Sequence, residues 1–340
     1  MLQTLTTSLR VTTRAGATMA ALCATLVAAT PVTAQTGDYP NKPVRIISDS
    51  AAGSSNDVTS RILAEQLSQL WKQQVVVLNH PGAGGGISAR VASQADPDGY
   101  TFYTPAASAF LALKGAVGVA PNLPIVLPTD FLPVAMFTLQ PMFIGVSHKL
   151  GVKTVPELIA LAKQKSGEIS FAATGRGRIT HLTMELFQDR AGVKLLFVPY
   201  AGGPAAAMND VTSGRVGIVL DGYSGVGGAI EGNSIHGLAV ASPARLKEFP
   251  TLPTVAETLP GFFAGGWNVV VAPMGTPDAI VRKAGTDINK VLADPEVAAR
   301  LAKLGAYLTA MSPEDTTAFA RKEQETWRPI LEKLAASEGK

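Results

Sequence analysis

Three stretches of small and hydroxyl-bearing residues each come directly after a short apolar run. They lie at residues 51–56, 106–108 and 172–180. Small side chains let backbone N–H groups approach a ligand, and a helix that begins behind such a stretch adds partial positive charge. Because the three stretches hold equivalent positions, together they predict an anion-binding site that needs no buried cation. Any one of them alone would more simply cap a helix or form a turn.

Signatures of catalysis are missing from the sequence. It has no G-x-S-x-G nucleophile elbow and no H-E-x-x-H motif, and its four histidines show no metal-ligand spacing. Asp49 and Asp57 flank the first stretch, but Asp57 is more simply explained as a helix-start residue that offsets the helix dipole. We therefore predict a protein that is not an enzyme and that has no metal and no cofactor.

The N-terminal segment has the composition of an export signal. Arg10 and Arg14 precede an apolar run at 15–29, and Ala34 ends a small-x-small cleavage site. The run is too short and too rich in Ala and Thr for a membrane span, which takes about 20 apolar residues. We predict a cleaved signal peptide at residues 1–35 and a mature protein in the periplasm, with an anchoring N-terminus as the alternative. The only cysteine, Cys23, lies in this segment, so the mature chain has no thiol.

A formal match to the dinucleotide-binding fingerprint occurs at residues 84–89, between a strand-like run and a helix-like segment. This turn is the second of the mature chain rather than the first, and export from the cytoplasm removes the nicotinamide pool. NAD binding is therefore not predicted.

Composition narrows the class of protein. The 340 residues are 46% hydrophobic and 16% charged, with a net charge of +3. These values exclude a disordered tail and a coiled coil, and the lack of any Lys/Arg tract gives no support to nucleic-acid binding. Short apolar runs alternate with segments of helical period, which predicts α/β units with largely parallel sheets.

A series of ordered motifs runs through almost the whole mature chain. They lie at residues 39–47, 53–57, 79–85, 96–101, 171–175, 198–203, 253–257 and 272–277. In their order and residues they closely resemble the Bug family, the substrate-binding components of tripartite tricarboxylate transporters. The resemblance implies an α/β, two-domain, type II Venus-flytrap periplasmic binding protein with a mainly parallel sheet in each domain. Residues 36–140 plus 260–340 would form domain 1, and residues 141–259 would form domain 2.

The resemblance also implies a function and partners. We expect capture of a small carboxylate, aliphatic or aromatic and with a dicarboxylate as the leading candidate, by domain closure. The loaded protein would then make a transient contact with the membrane subunits of the transporter. We expect a monomer that binds no nucleic acid. The alternative is a ligand sensor whose closed form signals to a membrane sensor kinase.

The site residues follow from the three stretches and from positions that match the family's cleft. Tyr200 and Gly202 match its edge, and Asp221 matches an acidic position that faces the cleft in relatives that bind amino or hydroxy acids. The predicted ligand-binding residues are Ser50, Ala51, Ala52, Gly53, Ser54, Ser55, Ala106, Ala107, Ser108, Ala173, Thr174, Gly175, Arg176, Gly177, Arg178, Thr180, Tyr200, Gly202 and Asp221.

Two departures from the family pattern concern charge. Asp49 and Ser50 stand where relatives usually carry Pro-Phe, and Arg176 and Arg178 stand where relatives commonly have small polar residues. An Arg fork binds a carboxylate with two hydrogen bonds, so Arg178 is predicted to grip a second ligand carboxylate. The alternative is that both arginines are solvated loop residues. Asp49 would disfavour an anion unless it points away or meets an amino group.

Overall fold

The computed structural model of the protein describes residues 38–115 and 119–338. The predicted signal peptide and Cys23 lie outside the described residues. Within those two ranges, none of the helices combines the length and the hydropathy that crossing a membrane requires.

Strands and helices alternate through most of the described chain, as predicted for an α/β protein. In chain order the strands are β1 (Val44–Ser48), β2 (Val75–Asn79), β3 (Thr101–Thr104), β4 (Phe131–Pro141), β5 (Phe143–Val146), β6 (Ser170–Ala173), β7 (Leu196–Pro199), β8 (Ile218–Asp221), β9 (His236–Val240), β10 (Gly265–Pro273) and β11 (Tyr307–Met311). The helices are α1 (Ser55–Trp71), α2 (Gly86–Ser93), α3 (Ala107–Leu111), α4 (Val155–Gln164), α5 (Ile179–Ala191), α6 (Pro204–Thr212), α7 (Tyr223–Glu231), α8 (Asp278–Leu292), α9 (Pro295–Lys303) and α10 (Pro313–Glu338).

Local sequence accounts for many of these elements. Strand β2 reads Val-Val-Val-Leu-Asn, and β-branched residues pack well on a pleated surface. Helix α4 begins at a capping box in which Thr154 and Glu157 bind each other's backbone N–H groups. Helix α5 ends at Gly192, whose φ of 63° lies in the left-handed region that glycine adopts without strain.

The strands form two sheets. The first has the order β11-β4-β10-β3-β1-β2 and the second has the order β7-β6-β8-β5-β9. The first sheet therefore draws on both ends of the described chain, and the second draws on its middle. The predicted limits of the two domains, 36–140 with 260–340 and 141–259, stay a prediction.

The expectation of mainly parallel sheets needs correction, because both sheets are mixed. Strand β1 pairs in parallel with β2 and β3, and β6 pairs in parallel with β7 and β8. The other pairs, β3-β10-β4-β11 and β8-β5-β9, are antiparallel. A parallel pair needs a long crossover, usually a helix. Strand β5 begins at Phe143, directly after β4 ends at Pro141, so the chain passes from the first sheet to the second at this point.

Each sheet has helices packed on both of its faces. One face of the first sheet buries Val44, Ile46 and Phe102 against α1, α8 and α9, and its other face packs against α2, α3 and α10. The second sheet is covered by α4 and α5 on one face and by α6 and α7 on the other. Helix α10 contributes Ala320 to a core of the first sheet and Trp327 to a core of the second. The C-terminal helix therefore packs against both sheets.

Candidate functional site

A cavity of about 270 Å³ lies between the two sheets. Residues that follow β1, β2, β3 and β6 line it, together with the last residue of β8. The carboxyl ends of strands are where ligands bind in open α/β sheets. Pockets for drug-sized ligands usually measure ~300–1,000 Å³, so this cavity suits a smaller molecule.

One wall of the cavity is the loop between β1 and α1. Gly53 has a φ of 78°, which only glycine adopts easily, and its N–H donates to Asp57 Oδ2 at 2.9 Å. The Ser54 hydroxyl donates to the Ala51 carbonyl at 2.7 Å, and Asn79 Nδ2 donates to the Ser50 carbonyl at 2.9 Å. These bonds tie the loop to the first turn of α1 and to the end of β2, beside the cavity.

Asp57 is buried and belongs to this wall. Burial alone would raise the pKa of its carboxyl, but hydrogen bonds from Arg61, Asn79 and Gly53 lower that pKa below the ordinary value. Asp57 therefore organises the loop, in addition to its predicted effect on the helix dipole.

The opposite wall is the loop between β6 and α5. The Thr180 hydroxyl accepts a hydrogen bond from the Thr174 N–H at 3.0 Å and lies 2.9 Å from the Thr174 hydroxyl. The Gly177 N–H donates to His181 Nδ1 at 3.1 Å. The ring of His181 is buried and packs against the rings of Phe171 and Phe197, which keeps that nitrogen in place. The loop is thereby folded over the start of α5, so that the first turn of this helix also faces the cavity.

Arg178 and Asp49 form a buried ion pair across the cavity. Arg178 Nη1 lies 3.1 Å from Asp49 Oδ2, and Arg178 Nη2 lies 3.4 Å from Asp49 Oδ1. The side chain of Asp49 is 0% exposed and that of Arg178 is 12% exposed. Asp49 Oδ1 also accepts hydrogen bonds from the Ala106 N–H and the Ser50 hydroxyl, both at 3.1 Å. The carboxylate predicted to disfavour an anion is thus neutralised by a residue of the other sheet.

Asp221 is the second buried acid of the cavity. Its carboxyl accepts hydrogen bonds from the backbone N–H groups of Gly222 and Ser55, so it lies at the first turn of α1. Burial raises the pKa of Asp221 to about 6, although these hydrogen bonds and the charge of Arg178 act in the opposite direction. Its Oδ2 atom is buried and accepts no hydrogen bond from the described residues.

Most of the predicted site residues line the cavity. They are Ser50, Ala51, Ser54, Ser55, Ala106, Ala107, Thr174, Gly175, Arg176, Arg178, Thr180 and Asp221. The others lie behind it or beside it and are Ala52, Gly53, Ser108, Ala173, Gly177, Tyr200 and Gly202. The Tyr200 hydroxyl, for example, donates to Asp210 at 2.5 Å. Contact between any of these residues and a ligand stays a prediction.

Several lining residues were not among the predicted site. The turn at 82–85 lines the cavity, and its Gly-rich sequence was the available signal. Gln140 and Asn268 also line it, from β4 and β10. Their amides donate to the hydroxyls of Thr59 and Thr138 in a buried network. No local motif marks these two amides, because strand pairing alone brings them together.

Gly222 allows the two sheets to approach closely at the edge of the cavity. A Cβ atom on Gly222 would lie 2.2 Å from Ser55 Oγ, which itself is 2.7 Å from Ser224 Oγ. The φ of Gly222 is −58°, so Gly222→Ala introduces a steric conflict and no backbone strain. We expect this variant to lose about 1–3 kcal/mol of unfolding free energy, measured by urea denaturation.

Gly228→Ala is the matched control for this prediction. Gly228 lies in α7, and a Cβ atom there would meet no atom within 4 Å. Alanine is the better helix former, so this control should be neutral or stabilising by up to about 1 kcal/mol. Equal stability of the two variants would contradict the close approach of Gly222 to Ser55.

Comparison with known proteins places the chain in a family. The sequence model of the tripartite tricarboxylate transporter family receptor (TctC) matches residues 59–336. Protein BugT of Bordetella pertussis is 34% identical over 326 residues, covering 95% of this chain and 98% of BugT. The solved structure of the periplasmic binding protein BugD has a TM-score of 0.78 and 31% identity, covering 88% of this chain and 99% of BugD.

A second solved structure, an R. palustris protein with adipate, has a TM-score of 0.80 and 29% identity. The alignment covers 88% of this chain and 98% of the R. palustris chain. The family model spans well over half of the chain, and the relatives align along nearly their whole length. The chain therefore belongs to the TctC family of tripartite tricarboxylate transporter receptors and is a Bug-type solute-binding protein rather than an enzyme.

Proposed function

We propose that this protein is exported to the periplasm, captures a small carboxylate in the cavity between its two sheets, and delivers it to the membrane subunits of a tripartite tricarboxylate transporter. One observation carries the proposal: both sheets present the first turn of a helix to the same cavity. Helix α1 supplies Ser55 and Asn56 from one side, and α5 supplies Ile179 and Thr180 from the other.

The physical basis is the partial positive charge at a helix N-terminus. Each helix of this length favours an anion beside its first turn by about 0.3–1 kcal/mol at an exposed site and by more where water is excluded. Small residues such as Ala51 and Gly175 leave the backbone accessible to a ligand. The R. palustris relative with adipate supports an acid as the ligand class.

Capture would proceed by movement of the two sheets about the strands that join them. The chain passes between the sheets at the β4–β5 connection, and β10 returns it to the first sheet. Contacts such as Ser55 with Ser224 and Asp49 with Arg178 join the sheets across the cavity. A ligand that touches both walls would favour the arrangement in which these contacts form, which is a hinge mechanism biased by ligand.

A thermal-shift screen of residues 36–340 tests the proposal. The panel holds mono- and dicarboxylates, aliphatic and aromatic, with the methyl ester of each acid as its matched control. At a hundredfold excess over Kd, a ligand that binds only the folded state adds about 2.7 kcal/mol of stability, which raises the melting temperature. We expect one class of acid to raise it while the ester of the same acid does not. A shift by esters alone, or by none of the acids, would contradict the proposal.

A further inference from the structure

The Asp49–Arg178 pair uses most of the hydrogen-bonding capacity of the arginine. A guanidinium has five N–H donors, of which four are on its two terminal nitrogens. Nη1 donates to Asp49 Oδ2 and to the Gly84 carbonyl at 3.3 Å, and Nη2 donates to Asp49 Oδ1 and to Ser50 Oγ at 3.4 Å. The fork that would hold a ligand carboxylate with two bonds is therefore directed at residues of the first sheet.

A second ligand carboxylate at this position would meet an unfavourable charge. To bind Arg178 it would have to displace Asp49 and leave that carboxylate buried without its cation, which is strongly destabilising. Among the described residues that line the cavity, the other charged groups are Asp221 and Arg176. Arg176 is exposed and its guanidinium lies 5.4 Å from the centre of the Phe197 ring, at the rim. The buried groups therefore carry more negative than positive charge.

Two buried oxygen atoms at the cavity have no hydrogen-bond donor among the described residues. Asp221 Oδ2 and Asn56 Oδ1 are both buried and accept no hydrogen bond from the described residues. Both residues line the cavity. Buried acceptors without a partner are rare in folded proteins, and a ligand hydroxyl or ammonium group would satisfy them. A second carboxylate, which only accepts hydrogen bonds, would not.

We propose that Asp49 is a specificity-determining residue that holds Arg178 away from the ligand and restricts this site to acids with one carboxylate and a hydrogen-bond donor. The inference rests on the proposed function and narrows its ligand class from carboxylates in general to hydroxy or amino monocarboxylates. It also changes the role of Arg178, from the predicted grip on a second carboxylate to a partner of Asp49.

Matched pairs of acids test this specificity. Each pair has the same skeleton and differs by one carboxylate: adipate with its ω-hydroxy analogue, malate with α-hydroxybutyrate, glutamate with norvaline, and terephthalate with para-hydroxymethylbenzoate. Dissociation constants are measured by calorimetry at neutral pH for the wild type, Asp49→Asn, Arg178→Gln and the double variant. Every protein is first checked for native circular dichroism.

We expect the wild type to bind the monocarboxylate of at least one pair about tenfold or more tightly than the diacid, a difference of about 1.4 kcal/mol. In Asp49→Asn the guanidinium of Arg178 is no longer paired with a carboxylate and can bind the ligand. The ratio of the dissociation constants of diacid and monocarboxylate should then shift at least about tenfold in favour of the diacid. Arg178→Gln should not favour the diacid, and the double variant should return the ratio towards the wild-type value. If Asp49→Asn does not show the native circular dichroism, Asp49→Ser replaces it in the same comparison.

The outcomes separate the inference from the proposed function. A wild type that prefers diacids, or a ratio that Asp49→Asn leaves unchanged, overturns the inference and leaves carboxylate binding in place. Binding of no acid by any of the four proteins overturns the proposed function, and the inference with it.

Discussion

Asp221→Asn is expected to stabilise the protein and to weaken its binding of ligand. Asp221 is 6% exposed and its pKa is raised to about 6, so the ionised carboxyl that predominates at neutral pH is less favourable in the folded protein than in the unfolded chain. Asparagine has nearly the shape of the protonated acid and carries no charge. Its carbonyl can still accept from Gly222 and Ser55, but its amide would then present donors where Asp221 Oδ2 lies.

The sign of the pH dependence follows from the direction of the shift. The folded protein holds the proton of Asp221 up to about pH 6, whereas the unfolded chain releases it near the ordinary value of 3.8. The wild type therefore loses stability as pH rises from about 4 to about 6, by about 3 kcal/mol for a shift of about two units. Asp221→Asn lacks this loss, so its advantage over the wild type should grow across that window and stay constant above it. Urea denaturation at several pH values measures the difference.

Asp221→Asn should raise the stability of the protein but lower its affinity for ligand. A hydrogen bond to a charged acceptor contributes about 1.5–3 kcal/mol, so Asp221→Asn should weaken binding of a donor-bearing acid at least about tenfold at neutral pH. Wild-type affinity for such an acid should rise between about pH 5 and 7, as Asp221 ionises, while the affinity of the variant should not.

Asp96→Asn, at an exposed position, is the matched control and should change stability by no more than about 0.5 kcal/mol. Stability curves of wild type and Asp221→Asn that run parallel from pH 4 to 8 would show that Asp221 is not a buried acid with a raised pKa.

Much of the fold was predictable because its signals are local. Strands such as β1 and β2 and helix α1 follow from apolar runs and helical spacing. Strand β4 was not predicted, since it contains Pro133 and Pro141, and proline normally argues against an interior strand. Here Pro133 lies opposite Val271, next to a register shift between β4 and β10. Strands β9 and β11, which lie at the sheet edges, were not predicted either.

The candidate site likewise has parts with a local sequence signal and parts without one. Its three loops were predicted, because small residues after apolar runs can be seen in a short window of sequence. The partnership of Asp49 with Arg178 was not predicted, because the two residues are 129 positions apart and meet only when the two sheets come together. The sequence shows that both charges are unusual for the family, but only the structure shows that they form an ion pair.

The double-mutant cycle of Asp49→Asn and Arg178→Gln is expected to show a large coupling energy. Each single change leaves one buried charge without its partner, which costs about 3 kcal/mol or more, whereas the double change removes both charges together. The double variant should therefore be more stable than the sum of the two single losses implies, when unfolding by urea is measured without added ligand. The exposed pair of Arg245 and Glu257 joins the same chemical groups at 2.8 Å and is the control. Water screens that pair, so its coupling should be far smaller. Additive losses at Asp49 and Arg178 would mean that the two charges do not meet in solution, and the specificity assigned to Asp49 would lose its physical basis.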